Sequence, residues 1–182
     1  KIYQPNFVQQ CLWLGKKPDD AMLINLSKLI KSKSIIAHFN SNLKLHRSTK
    51  MRKNQVLNIQ EISEVKKNYS KSLSKNIKNN KQKVSIIENQ NVQLTIDMYT
   101  KAYGAYNTQL KTQDYSKLRE LTLSYPENFV NLTISMNSLP VAGLLFAKGK
   151  NRLHYILGAP SSEGRKVNAV SIGINYIIET YG

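Results

Sequence analysis

Cysteine is nearly absent. Cys11 stands alone among 182 residues, so no internal disulfide framework can form. Long apolar runs are also missing: the longest, residues 139–147, is broken by Pro140 and Gly143. A membrane span needs ~18–20 consecutive apolar residues. The opening Lys1-Ile2-Tyr3-Gln4-Pro5 carries no apolar signal-peptide core, and with a single thiol the expected location is a reducing cytoplasm. Histidine occurs only at His38, His46 and His154. With the lone cysteine they show no metal-ligand spacing, so no metal is expected. There is no Walker loop, Rossmann glycine set or nucleophile elbow. Solenoid repeats and low-complexity tracts are absent too.

Acidic residues are scarce: 11 Asp and Glu face 27 Lys and Arg, for a net charge of +16. The imbalance is lopsided. Residues 1–83 hold 18 basic and 4 acidic side chains, residues 84–182 hold 9 and 7. Such a half attracts anions, whether nucleic acid, phosphate or an anionic membrane surface. Only 5 of the 27 cations are Arg, and a biased amino-acid composition alone can produce this excess of lysine.

What is present reads as a mixed α and β chain. Residues 5–13 read as an irregular start. Residues 21–30 carry Met22, Leu23, Leu26, Leu29 and Ile30 at helical spacing. Residues 34–39 read as a strand, 40–54 as a basic loop, and 56–59 as a short strand. Over 61–81, Ile62, Val65, Tyr69, Leu73 and Ile77 form one stripe, which predicts a single amphipathic helix. Its other side holds Lys66, Lys67, Lys71, Lys75, Lys78 and Lys81. These lysines read first as a plain solvated face, the alternative being a rail for a phosphate-rich ligand. Residues 84–87 read as a strand or linker, 92–106 and 115–125 as helices, the second stopped by Pro126. Alternation over 129–157 predicts three antiparallel strands, with turns at Asn137-Ser138 and Gly149-Lys150-Asn151. A loop over 158–166 and a helix over 167–181 complete the chain.

The order helix, helix, three strands, loop, helix resembles the acyl-CoA N-acyltransferase (GNAT) fold. The resemblance implies an α/β (α+β) domain with a mixed, mostly antiparallel sheet flanked by helices. Shorter stretches resemble the Fem-type peptidoglycan aminoacyltransferases. They are YQPNFVQQCLWLG (3–15), YSKSLSKNIKNN (69–80), DMYTKAYGAY (97–106) and LPVAGLLFAKGKNRLHYILGAP (139–160). Fem-type chains carry two GNAT-like halves. The resemblance therefore implies a basic, incomplete N-terminal half at 1–83 and a C-terminal half at 84–182. Both families continue past the last helix with another strand, so the sheet is expected to be incomplete at Gly182.

The resemblance further implies an acyl- or aminoacyl-transferase acting on an amine of a small-molecule or cell-wall precursor acceptor. The donor would be acyl-CoA or an aminoacyl-tRNA. In the GNAT fold the strand–loop–helix after the meander holds the donor's pyrophosphate. Here that unit offers Gly158, Ser161, Ser162, Gly164, Arg165, Lys166 and Asn168, small or cationic residues leading into a helix N-terminus, where free N–H groups favour anions. The family's glycine signature is replaced by Gly164-Arg165-Lys166-Val167-Asn168-Ala169. Direct acyl transfer needs a positioned amine, a proton route and oxyanion stabilisation, not a covalent nucleophile. Tyr103, Tyr155 and Glu163 are the candidate proton-carrying groups by position. Lys71, Lys75, Asn76 and Lys78 match a basic-Asn-x-basic pattern and are the candidate polyanion contacts, with tRNA as the implied partner. His38 and His154 fall within strand patterns and read as structural. Two other classes fit the same residues: a non-catalytic nucleic-acid-binding module, and a degenerate transferase scaffold.

Overall fold

A computed structural model describes residues 2–3, 7, 19–29, 35–36, 56–59, 61–107 and 109–182. Contacts divide the chain into two units, Lys1–Val56 and Leu57–Gly182. Residues 57–83 therefore pack in the same unit as 84–182.

In the first unit, β1 (Ile2–Tyr3) pairs in parallel with β2 (Ile35–Ile36), and α1 (Asp20–Leu29) lies between them in sequence. The Asp19 carboxylate accepts from the Met22 amide at 2.8 Å, satisfying one free N–H of the first turn of α1. The expected strand at 34–39 is thus described only at Ile35–Ile36, and the irregular start and the basic loop lie largely outside the described residues.

Residues 56–59, where the two units meet in sequence, form no strand, contrary to the expectation from their apolar pattern. The single helix expected over 61–81 is two helices, α2 (Ile62–Lys67) and α3 (Lys71–Asn80), followed by a 3-10 turn at Lys81–Lys83. Short polar side chains cause the break by competing for backbone groups. The Asn68 amide donates to the Glu64 carbonyl at 3.0 Å, and the Ser70 hydroxyl accepts from the Leu73 amide at 3.1 Å. The apolar stripe survives the break: Val65 is buried, and Tyr69, Leu73 and Ile77 are half-buried.

Next come β3 (Ser85–Glu88), α4 (Val92–Tyr103) and α5 (Thr112–Ser124). Helix α5 starts three residues earlier than its apolar pattern, because the Asp114 carboxylate accepts from the Lys111 amide at 2.8 Å and ties down the first turn. Pro126 opens a 3-10 turn into the meander β4 (Phe129–Met136), β5 (Leu139–Gly149) and β6 (Arg152–Pro160). The sheet order is β3-β4-β5-β6, antiparallel throughout. The β4–β5 turn uses positive φ at both Asn137 (50°) and Ser138 (63°), matching the twist of a two-residue hairpin.

The expected loop at 158–166 is mostly ordered structure. Gly158–Pro160 still pair in β6, and α6 (Ser162–Lys166) follows at once. The last helix, α7 (Ala169–Tyr181), begins two residues late because Asn168 takes a left-handed φ of 56°. Asparagine tolerates that conformation better than most residues.

Two glycines show how the sheet is sandwiched. A Cβ on Gly143 would lie 2.6 Å from Thr95 Oγ1, so α4 presses on β5 there. A Cβ on Gly173 would lie 2.7 Å from Ile134 Cδ1 and 3.1 Å from Leu144 Cδ2, so α7 presses on the sheet there. Gly143 and Leu144 are successive strand residues and face opposite ways, which puts the two helices on opposite faces. The core between sheet and α7 is built on Leu132, Ile134, Leu144 and Ile172, each no more than 1% exposed. Each such side chain contributes ~1.5–3 kcal/mol by burial. Under α4 the contact is polar. Thr95 donates to Asn131 Oδ1 (2.7 Å), Asn131 donates to Asn89 Oδ1 (3.0 Å), and Asn89 donates to Thr133 Oγ1 (2.8 Å). Among the described residues no helix is long and apolar enough to cross a membrane.

Candidate functional site

Strand β6 carries an irregularity beside the densest aromatic group of the unit. Leu145 pairs with Leu157 and Phe146 with Tyr155, which leaves Ile156 without a partner on β5. Such a bulge locally frees backbone groups and re-aims side chains. Tyr155 stacks obliquely on Phe146, with ring centroids 5.2 Å apart. Its hydroxyl occupies the space above Gly158, where an added Cβ would lie 1.6 Å from it. Glycine is therefore required at 158 for Tyr155 to sit as it does.

Two tyrosines of α4 face the same region. Tyr99 and Tyr103 are one turn apart with centroids at 5.2 Å, and Tyr99 lies 6.4 Å from Tyr115 of α5. The Asn107 amide donates to the Tyr99 hydroxyl at 2.8 Å and fixes its position. Burial, and then the neighbouring Tyr103 and Tyr99, push the Tyr155 phenol up to about 12. The ring stays 38% exposed while the hydroxyl is turned against the strand. A phenol held neutral at physiological pH donates a proton or a hydrogen bond and is a poor base.

Two of the three candidate proton-carrying residues, Tyr103 and Tyr155, are thus brought into one electrostatic neighbourhood. Glu163 is not: it lies exposed on α6 and pairs with Lys166 at 2.6 Å. Around the strand end, several of the expected anion contacts serve the fold instead. The Ser161 amide donates to the Val141 carbonyl at 2.8 Å, and the Ser161 hydroxyl caps α6 by accepting from the Gly164 amide at 3.1 Å. Gly164 is buried against Val141, whose carbonyl oxygen would lie 2.1 Å from an added Cβ. The Asn168 carbonyl accepts from the Ile172 amide in the first turn of α7. Ser162 and Arg165 remain exposed, and among the described residues neither side chain is engaged in a hydrogen bond or ion pair.

The basic helix is also sorted by the structure. Lys66 and Lys81 both bind Glu179, Lys67 binds Glu64, and Lys83 binds Asn80. Lys71, Lys75 and Lys78 are exposed, with no ion pair or hydrogen bond from their side chains among the described residues, and Asn76 is half-buried beside them.

Three groups escape a reading of the sequence: Tyr99, Asn107 and Glu179. Tyr99 shares a four-residue spacing with Tyr103, which is a readable signal on a helix. Asn107 sits outside any periodic element, and Glu179 is recognisable only through lysines far away in sequence. Compared with known proteins, the chain matches no family model and no curated sequence.

Proposed function

We propose that this chain is an acyl- or aminoacyl-group transferase of the GNAT-like, Fem-type kind. It would move an acyl group from acyl-CoA or a charged tRNA to an amine of a small-molecule or cell-wall precursor acceptor. The observation that carries the reading is the end of β6, where an unpaired bulge residue, a phenol held neutral and the start of α6 follow one another.

The donor supplies an activated carbonyl, as thioester or ester. When an amine attacks it, a C–N bond forms, the C–S or C–O bond breaks, and the leaving group needs a proton. The attacking amine must shed a proton, and Tyr155, whose phenol is protonated at every physiological pH, suits relaying it, giving its own proton to the leaving group as it takes the amine's. Backbone at the Ile156 bulge is free of its β5 partner and suits hydrogen bonding to the carbonyl oxygen, where negative charge develops. Ser162 and Arg165 are the groups left available for an anionic donor, since Lys166 is tied to Glu163. No metal is needed for these steps.

The test is calorimetric titration of acetyl-CoA and of aminoacyl-tRNA into the wild type and Arg165→Ala. One charge-assisted contact contributes ~1.5–3 kcal/mol. Arg165→Ala should then raise the donor dissociation constant by roughly one to two decades. Equal affinities would remove the strand end as the donor site, and failure of both donors to bind would remove the transferase reading. A specific observation favours nucleic-acid binding as a second reading: Lys71, Lys75 and Lys78 stay unpaired while four neighbouring lysines are engaged. Under it, RNA binds the wild type, and replacing the three lysines with Gln lowers the salt slope by about 2.

A further inference from the structure

Helices α4 and α5 and the segment joining them line an open groove of about 720 Å³. Ligand clefts are typically roughly 300–1,000 Å³. The floor is apolar and buried: Ile96 is 4% exposed and Tyr115 is 8% exposed. One cation stands on each wall, Lys101 on α4 and Arg119 on α5. Both are exposed, and neither side chain has an ion pair or hydrogen bond among the described residues. The groove's own carboxylate, Asp97, accepts from the Gln93 amide at 2.7 Å and forms no ion pair with either cation, so Lys101 and Arg119 leave the groove with a balance of +1.

We infer that the α4–α5 groove is a second ligand site, for a small organic anion with a flat apolar body. The body would lie on Ile96 and Tyr115, and the carboxylate or phosphate head would be held between Lys101 and Arg119. An apolar floor under two unpaired cations is the complement of an amphiphilic anion; a neutral ligand would leave the charges unused, and a bare inorganic anion would leave the floor wet. The groove is separate from the end of β6. Its floor nevertheless joins the same aromatic group, because Tyr115 packs near Tyr99, which packs against Tyr103. The inference does not depend on the transferase reading.

The test uses the full chain, with phenyl phosphate and benzoate as anionic probes and benzyl alcohol and inorganic phosphate as controls. Amide chemical shifts are followed during titration. Both anionic aromatics should perturb residues of α4 and α5 around Thr100 and Ser116, saturably, at millimolar concentration or below. Arg119→Gln and Lys101→Gln should each weaken binding by roughly tenfold. Ser116→Trp, which fills the groove and removes no charge, should abolish it. If one aromatic anion binds and the other does not, the binder identifies the head group. No saturable shift in the groove with either anion would overturn the proposal. So would affinity unchanged by all three substitutions, or benzyl alcohol or inorganic phosphate binding as tightly as the anionic aromatics.

Discussion

The position of one hydroxyl depends on one absent methyl group. Tyr155 folds back over Gly158, and any side chain at 158 must displace it. In Gly158→Ala the phenol would be pushed toward solvent, and its pKa should fall from about 12 toward its ordinary 10. Ultraviolet titration of tyrosinate, comparing wild type, Gly158→Ala and Tyr155→Phe, measures this directly. The same group makes the fold sensitive to alkali. Its folded pKa is raised, so its contribution is intact below about pH 10 and is lost as pH rises toward 12. Tyr181, held by burial and by Glu88 at about 12, acts in the same window. Tyr155→Phe should therefore lose less stability than wild type between those pH values. Identical alkaline unfolding curves would show that the hydroxyl is not desolvated.

At the level of elements, the sheet is held on both faces by close helix contacts of different hardness. At Gly143 an added Cβ meets Thr95 Oγ1 at 2.6 Å and Thr95 Cα at 2.9 Å, and backbone cannot step aside. At Gly173 it meets the end of the Ile134 side chain at 2.7 Å, which can rotate. Overpacking a tight interior costs ~1–3 kcal/mol. Gly143→Ala should fall at the upper end of that range, and it should also strain the Thr95–Asn131 hydrogen bond. Gly173→Ala should cost clearly less, because alanine also favours the helix by ~1 kcal/mol over glycine. Urea denaturation of the two variants decides, and the reverse order would mean that α4 is free to shift on the sheet.

Across the whole second unit, one carboxylate holds residues 57–83 to α7. Glu179 binds Lys66 at 2.7 Å and Lys81 at 3.0 Å, and the neighbouring Asn175 accepts from Tyr69 at 3.2 Å. Burial opposes the charge on Glu179, but hydrogen bonds from Lys66, Lys81 and Asn175 together outweigh it and bring its pKa from 4.5 to about 2. A depressed folded pKa contributes stability that is complete above about pH 4.5 and disappears as pH falls toward 2. These bridges are partly solvent-screened, so Glu179→Gln should cost only about 1 kcal/mol at neutral pH. The gap between variant and wild type should close through that acid window. A gap independent of pH would mean that the variant acts through packing and not through charge.

Much of this arrangement was readable in the residues, and the physical reason separates what was from what was not. The three meander strands, the Asn137-Ser138 turn and helices α1, α4, α5 and α7 all follow from alternation, helical periodicity or turn chemistry. Those signals act within a few residues, so no partner is needed to read them. The break at Asn68–Ser70 is local as well, but its capping side chains lie inside an uninterrupted apolar stripe that outvotes them. The ordered end of β6, where a loop was expected, needed β5 as a pairing partner. The site belongs to the other class. Tyr155 comes under the electrostatic influence of Tyr103 and Tyr99 from a different element, Thr95 meets Asn131 across 36 residues, and Tyr69 meets Asn175 across 106. Such pairs depend on strand register and on how closely helices approach the sheet. The sequence by itself thus determined the elements and the excess of positive charge. Only the tertiary structure decided which tyrosines share a site and which lysines stay free, because desolvation and ion pairing arise from packing between segments distant in the chain.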